Sequence, residues 1–118
     1  MIENIQINGV HETLDDDLRK YVGKKIGHLD KYMPRKARQS AHAEVWLKQV
    51  KKDGKIQHLC EVVMRLPHDT LTTKEATMNV YAAVDIVEAK LQSQLKKYKA
   101  KHNPVRIHQR FVAHLRRS

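Results

Sequence analysis

The chain has 118 residues, 41% of them hydrophobic and 31% charged, and its 23 Lys and Arg against 13 Asp and Glu leave a net charge of +10. That is the length of one ordinary domain, able to bury roughly two thirds of the surface its unfolded chain exposes, and its periodic apolar segments argue against a disordered chain. No apolar run approaches membrane-spanning length, the acidic MIENIQINGVHETLDDD is unlike a signal peptide, and the lone Cys60 permits no internal disulfide, which suits a reducing cytoplasm.

In chain order, Ile2, Ile5 and Ile7 give a short strand over 2–8, and Gly9 to Glu12 turn the chain. Thr13 is a natural N-cap, with Asp15, Asp16 and Asp17 in the first helical turn, where the helix dipole favours negative charge. Leu14, Leu18, Tyr21, Val22, Ile26, Leu29 and Met33 then recur at helical spacing, so a first helix is predicted to about Tyr32, ended by Pro34. Gly23 and Gly27 weaken it by roughly 1 kcal/mol each relative to Ala.

After a basic connector, RKARQ, the period changes to two. Ala41, Ala43, Val45 and Leu47 alternate with His42, Glu44, Trp46 and Lys48, a strand signature. Asp53-Gly54 marks a hairpin turn, followed by a strand with His58, Cys60, Val62, Met64 and Leu66 on one face. Pro67-His68-Asp69 turns again into a weaker strand, TLTTKEAT, and a second helix opens at Met78 or Asn79. Val80, Val84, Val87, Leu91, Leu95 and Tyr98 form its continuous apolar stripe. The predicted order is β-α-β-β-β-α, an α+β fold with two helices on one face of a four-stranded sheet. It occupies residues 1–102, and 103–118 are read as a basic, flexible arm carrying Arg106, Arg110, Arg116 and Arg117.

Charge is unevenly spread. Residues 1–17, 18–66, 67–89 and 90–118 carry net −5, +9, −3 and +9. The first helix presents Lys20, Lys24 and Lys31 in line, with Arg19 and Lys25 nearby; the second presents Lys90, Gln94, Lys97 and Lys101 beside the apolar stripe, with Lys96 and Lys99 flanking. If the helices pack side by side, these rows border a common groove suited to a polyanion. Lysines on a single helix are ordinarily just solvated; two rows on both helices outweigh that reading. Nothing resembles a base-reading recognition helix. Six aromatics are too few for single-strand stacking, and the apolar stripe is needed for the core rather than for a membrane. Asp85, within the basic helix, is placed to orient a neighbouring lysine.

The chemistry of enzymes finds little purchase. The eight histidines have no compact metal-ligand spacing with Cys60, which continues an apolar strand face and reads as a buried thiol. The four glycines are scattered, so there is no phosphate loop. Asp15 to Asp17 are explained by their helix N-terminus. The sequence thus points to a non-enzyme with no cofactor, metal or small-molecule substrate.

The segment YAAVDIVEAKLQSQLKKYKAKH, Tyr81 to His102, resembles the second helix of the ribosome hibernation promoting factor family, which includes ribosome-associated inhibitor A. The stretch IQINGVHETLDDDLRKYVGKKIGHLDKY, with Arg-x-Tyr-Val at Arg19 to Val22 and Leu-x-Lys-Tyr at Leu29 to Tyr32, is similar to that family's first strand and helix. The resemblance covers residues 1–102. It implies a double-stranded-RNA-binding-like fold that occupies the messenger and transfer RNA channel of the small ribosomal subunit and silences translation in resting or stressed bacterial cells. Carried over by position, Arg19, Lys25, Lys31, Lys90, Gln94, Lys97, Lys99 and Lys101 contact ribosomal RNA. His28 and Ser93 stand where the family often has Lys and Arg, and Lys20, Lys24 and Lys96 are extra bases that compensate. Long members add a domain that pairs ribosomes, for which this chain is too short. The alternatives are a general structured-RNA-binding domain and a module for an acidic protein partner. Exposed edge strands leave homodimerisation open.

Overall fold

A computed structural model describes residues 1–102; the basic arm read at 103–118 lies outside them. The elements are β1 (Asn4–Val10), α1 (Asp16–Gly27), a 3-10 segment (His28–Tyr32), a short helix α2 (Arg35–Arg38), β2 (His42–Lys52), β3 (Lys55–Leu66), β4 (Asp69–Thr77) and α3 (Val80–Lys101). The four strands form one sheet in sequence order. β1 and β2 are parallel, so the chain must cross over between them, and α1 is that crossover. β2, β3 and β4 are an antiparallel meander.

The two periodicities meet in one core. Ala43, Val45, Leu47, Cys60, Val62 and Met64 point to the same sheet face and are fully buried. Against them lie Leu18, Val22 and Ile26 of α1 and Val84, Val87, Leu91 and Leu95 of α3, all buried. Each such aliphatic side chain contributes about 1.5–3 kcal/mol on burial. Burial pushes the Cys60 thiol up to about 12, so the inert thiol expected from the strand pattern is what the fold contains.

Local signals explain most boundaries, with some differences from the sequence reading. The helix cap is Asp15, not Thr13: its carboxylate accepts from the Leu18 amide at 2.8 Å, which leaves Asp16 and Asp17 in the first turn. The predicted first helix is two pieces, because after Gly27 the chain tightens to a 3-10 run that ends before Pro34. The connector RKARQ folds into α2, pinned by buried Ala37. β1 runs from Asn4 to Val10 rather than over 2–8. Gly9 is needed there, since a Cβ would lie 2.9 Å from the Glu12 carbonyl oxygen. Asn79 caps α3, accepting from Tyr81 at 2.8 Å.

Both helices run the same way along the sheet. α1 ends where β1 begins, with the Ile2 amide donating to the Gly27 carbonyl at 3.0 Å. α3 ends over the β3–β4 turn, where the Tyr98 hydroxyl donates to the Pro67 carbonyl at 2.6 Å. Both C-terminal ends therefore share one end of the molecule with α2, while Asp15 to Asp17 and the β2–β3 hairpin lie at the other.

Candidate nucleic-acid interface

α3 divides its polar residues between two flanks. One flank faces β4: Lys90 pairs with Glu75, and Lys101 lies 3.9 Å from Asp69. Between them, Gln94 and Lys97 line an open depression of about 300 Å³ with Thr70, Leu71, Thr72 and Tyr98. Gln94 Oε1 is buried there without a hydrogen-bond partner in the described chain. The other flank faces α1. There Lys25 reaches Asp85 at 3.6 Å and Glu88 at 3.9 Å, and lies 5.6 Å from the centre of the Tyr21 ring. Tyr21 donates to Asp85, which holds its phenol up at about 12, and stands edge-on to Tyr81. A cleft of about 380 Å³ beside this pair is lined by Lys24, Lys25, His28, Lys31 and Glu88.

The two basic rows therefore do not border one groove along their length. The row of α1 lines the cleft between the helices, and the row Lys90, Gln94, Lys97, Lys101 lies on the far side of α3, against β4. The physical reason is helix rotation: the apolar stripe must point at the sheet, and residues a quarter turn to one side of it then face β4. Asp85 does orient a lysine, as the sequence suggested, but the lysine is Lys25 on the other helix.

The bases converge instead at the helix ends. Lys31 and Lys96 both approach the Tyr32 ring, at 5.2 and 5.6 Å from its centre, so one aromatic ring gathers a cation from the 3-10 segment and another from α3. Exposed Lys97 and partly exposed Lys99 follow on α3. Arg35, Lys36 and Arg38 of α2 are exposed beside β2's start. They were legible only as a basic run, and the turn that brings them to this end could not be read from spacing. Arg19 and Lys20 are exposed near the start of α1 and stand apart from this cluster. No group of three or more His, Cys, Asp or Glu residues suited to a metal occurs among the described residues.

Residues 5–103 match the family model described as Sigma 54 modulation protein / S30EA ribosomal protein. The chain belongs to this family. It is 32% identical over 98 residues to a ribosome hibernation promotion factor of Staphylococcus aureus, covering 83% of this chain and 49% of that protein. A protein of the same name from Lactococcus lactis is 32% identical over 97 residues, or 82% of this chain and 50% of the relative. The chain thus spans about half the length of these curated relatives. The crystal structure of the N-terminal domain of Thermus thermophilus Protein Y superposes with a TM-score of 0.67 at 29% identity, covering 80% of this chain and 98% of that one. A ribosomal subunit interface protein from Coxiella burnetii gives 0.67 at 26%, covering 82% and 98%. These likenesses agree with the α+β fold expected from the sequence, with both helices on one face of the sheet.

Proposed function

We propose that the protein is a cytoplasmic, non-enzymatic ribosome hibernation factor. It binds the small ribosomal subunit in the messenger and transfer RNA channel and stops translation in resting or stressed cells. Family membership and the names of the relatives support the ribosomal reading. The observation that carries the mode of binding is the convergence of Lys31, Lys96, Lys97, Lys99 and α2 at one end of the molecule, where described acids are few and engaged. Asp30 faces the Met1 amino group at 2.9 Å, and Asp69 faces Lys101. Lysines and arginines fixed on rigid elements suit structured RNA recognised through its phosphates and shape.

The helical residues then have distinct roles. Lys31, Lys97 and Lys99, with Lys24 and Lys20, are cations presented to the phosphate backbone. Arg19 adds to them from the start of α1. Lys25, Lys90 and Lys101 each lie near a carboxylate and reach RNA only at the expense of that contact. Gln94 lines the depression beside β4 and shapes the surface on which RNA held by Lys97 is seated.

Co-sedimentation with purified small subunits, across a salt series and with excess duplex RNA as competitor, tests the reading. The protein should stay on the subunit despite the competitor, and Lys31→Glu with Lys97→Glu should weaken binding on the order of 100-fold. Release by duplex competitor as readily as by salt would leave an RNA-binding domain without ribosome preference.

A further inference from the structure

The hairpin joining β2 and β3 is a basic element that the helical site does not include. Its turn residues, Asp53 and Gly54, both have positive φ, 53° and 75°. That is the two-residue geometry whose twist matches the flanking strands, so the tip is a firm turn. β1 stops pairing with β2 at Lys48, and β4 stops pairing with β3 at His58. Residues beyond those points continue as a two-stranded ribbon, pairing Val50 with Gln57, Lys51 with Ile56 and Lys52 with Lys55. Lys51, Lys52 and Lys55 are exposed, and among the described residues none of them forms an ion pair, unlike Lys25, Lys90 and Lys101. Ile56, across from Lys51, is 52% exposed.

Position makes this cluster informative. Lys52 lies ten residues along β2 from His42, which is about 34 Å from the basic helix ends at antiparallel strand rise. The body at the ribbon's own end carries Glu12, Asp15, Asp16 and Asp17 alongside Arg19 and Lys20, so its charge is mixed, and Asp53 is the one acid on the ribbon. The three lysines are therefore not an overflow of the helical charge.

We propose that the ribbon is a second RNA contact, seated across a wide, shallow minor groove and holding phosphates through Lys51, Lys52 and Lys55, with Ile56 against the sugars. Two strands about 4.8 Å apart fit such a groove. One exposed isoleucine is too little apolar surface to hold a membrane, and lysines act as point charges on phosphates. The choice of ribosomal RNA as the partner rests on the function proposed above.

The triple variant Lys51→Gln, Lys52→Gln, Lys55→Gln tests this on small ribosomal subunits. The plot of log affinity against log salt should become shallower by about three, and the Lys→Arg triple should restore it. An unchanged slope overturns the ribbon contact, and an unchanged unfolding midpoint excludes a folding defect, since the ribbon lies outside the core. A photo-crosslinker placed by Lys52→Cys, with Cys60 fully buried and unavailable to label, should give ribosomal RNA adducts. Adducts to ribosomal protein alone overturn the proposal. A chain that ignores subunits yet binds free duplex RNA with a ribbon-dependent slope removes the ribosomal reading and keeps the ribbon.

Discussion

The two flanks of α3 carry opposite charge and do different work: Asp85 and Glu88 face α1, while Lys90, Lys97 and Lys101 lie toward β4. On the α1 side, Lys25 is enclosed by Asp85, Glu88 and the Tyr21 ring, so its charge is largely answered inside the protein. On the β4 side Lys90 and Lys101 lie near Glu75 and Asp69, and Lys97 between them forms no ion pair among the described residues. The difference teaches that a lysine count overstates a binding surface. What an RNA meets is the set of cations left after internal pairing, and the fold makes that subtraction by rotating each helix to suit the core.

The largest effect on this comparison should come from the stripe that sets the rotation. Leu91 is fully buried between the flanks, so Leu91→Ala should cost about 2–5 kcal/mol in denaturant unfolding. A loss below ~1 kcal/mol would mean that α3 is not held by that stripe. A smaller effect should follow from unmaking the internal pairing. Asp85→Asn with Glu88→Gln frees Lys25. Stability should fall by less than ~1 kcal/mol because the pairs are partly exposed, while the salt slope of subunit binding should steepen by about one. If Lys25→Gln flattens the wild-type slope as much as Lys97→Gln does, the division into engaged and presented lysines is wrong.

The smallest effect lies in Tyr21. Its phenol is raised from 10.0 to about 12, chiefly by the hydrogen bond to Asp85. A group raised in the folded state adds stability that is whole below pH 10 and is lost as the pH climbs through about 12. Tyr21 is only partly buried, so solvent screening keeps that share small. Tyrosinate absorbance against pH should show one late-ionising phenol fewer in Tyr21→Phe than in the wild type. An equal number in both would mean that the bond to Asp85 is absent.

Much of this architecture was legible because periodicity follows directly from burial. The alternation from Ala41 to Leu47 and the steps of three and four from Val84 to Tyr98 each mark one wetted and one dry side. Caps were legible where a single residue suits the role, as Asn79 does. At the start of α1 several polar residues compete, and Asp15 prevails over Thr13 because its carboxylate is the one that meets the Leu18 amide. The site was less legible. Spacing shows that Lys90, Gln94, Lys97 and Lys101 share a side of their helix, but not which neighbour that side faces. That depends on where the crossover sets α1, a property of strand order. The lysines of the hairpin read only as a turn, since protrusion depends on where β1 and β4 stop.

Strand order has a further consequence, in time rather than in space. Among the described residues β1 pairs with no strand but β2, and β2 begins only at His42. During synthesis the first strand and its crossover helix leave the exit tunnel before any partner strand exists. The meander of β2, β3 and β4 is built from nearby residues and closes quickly, whereas the parallel pair must wait for a long loop to be drawn in. Docking β1 therefore closes a longer loop than any step of the meander, and the nascent chain carries Ile5 and Ile7 uncovered at least until β2 is made.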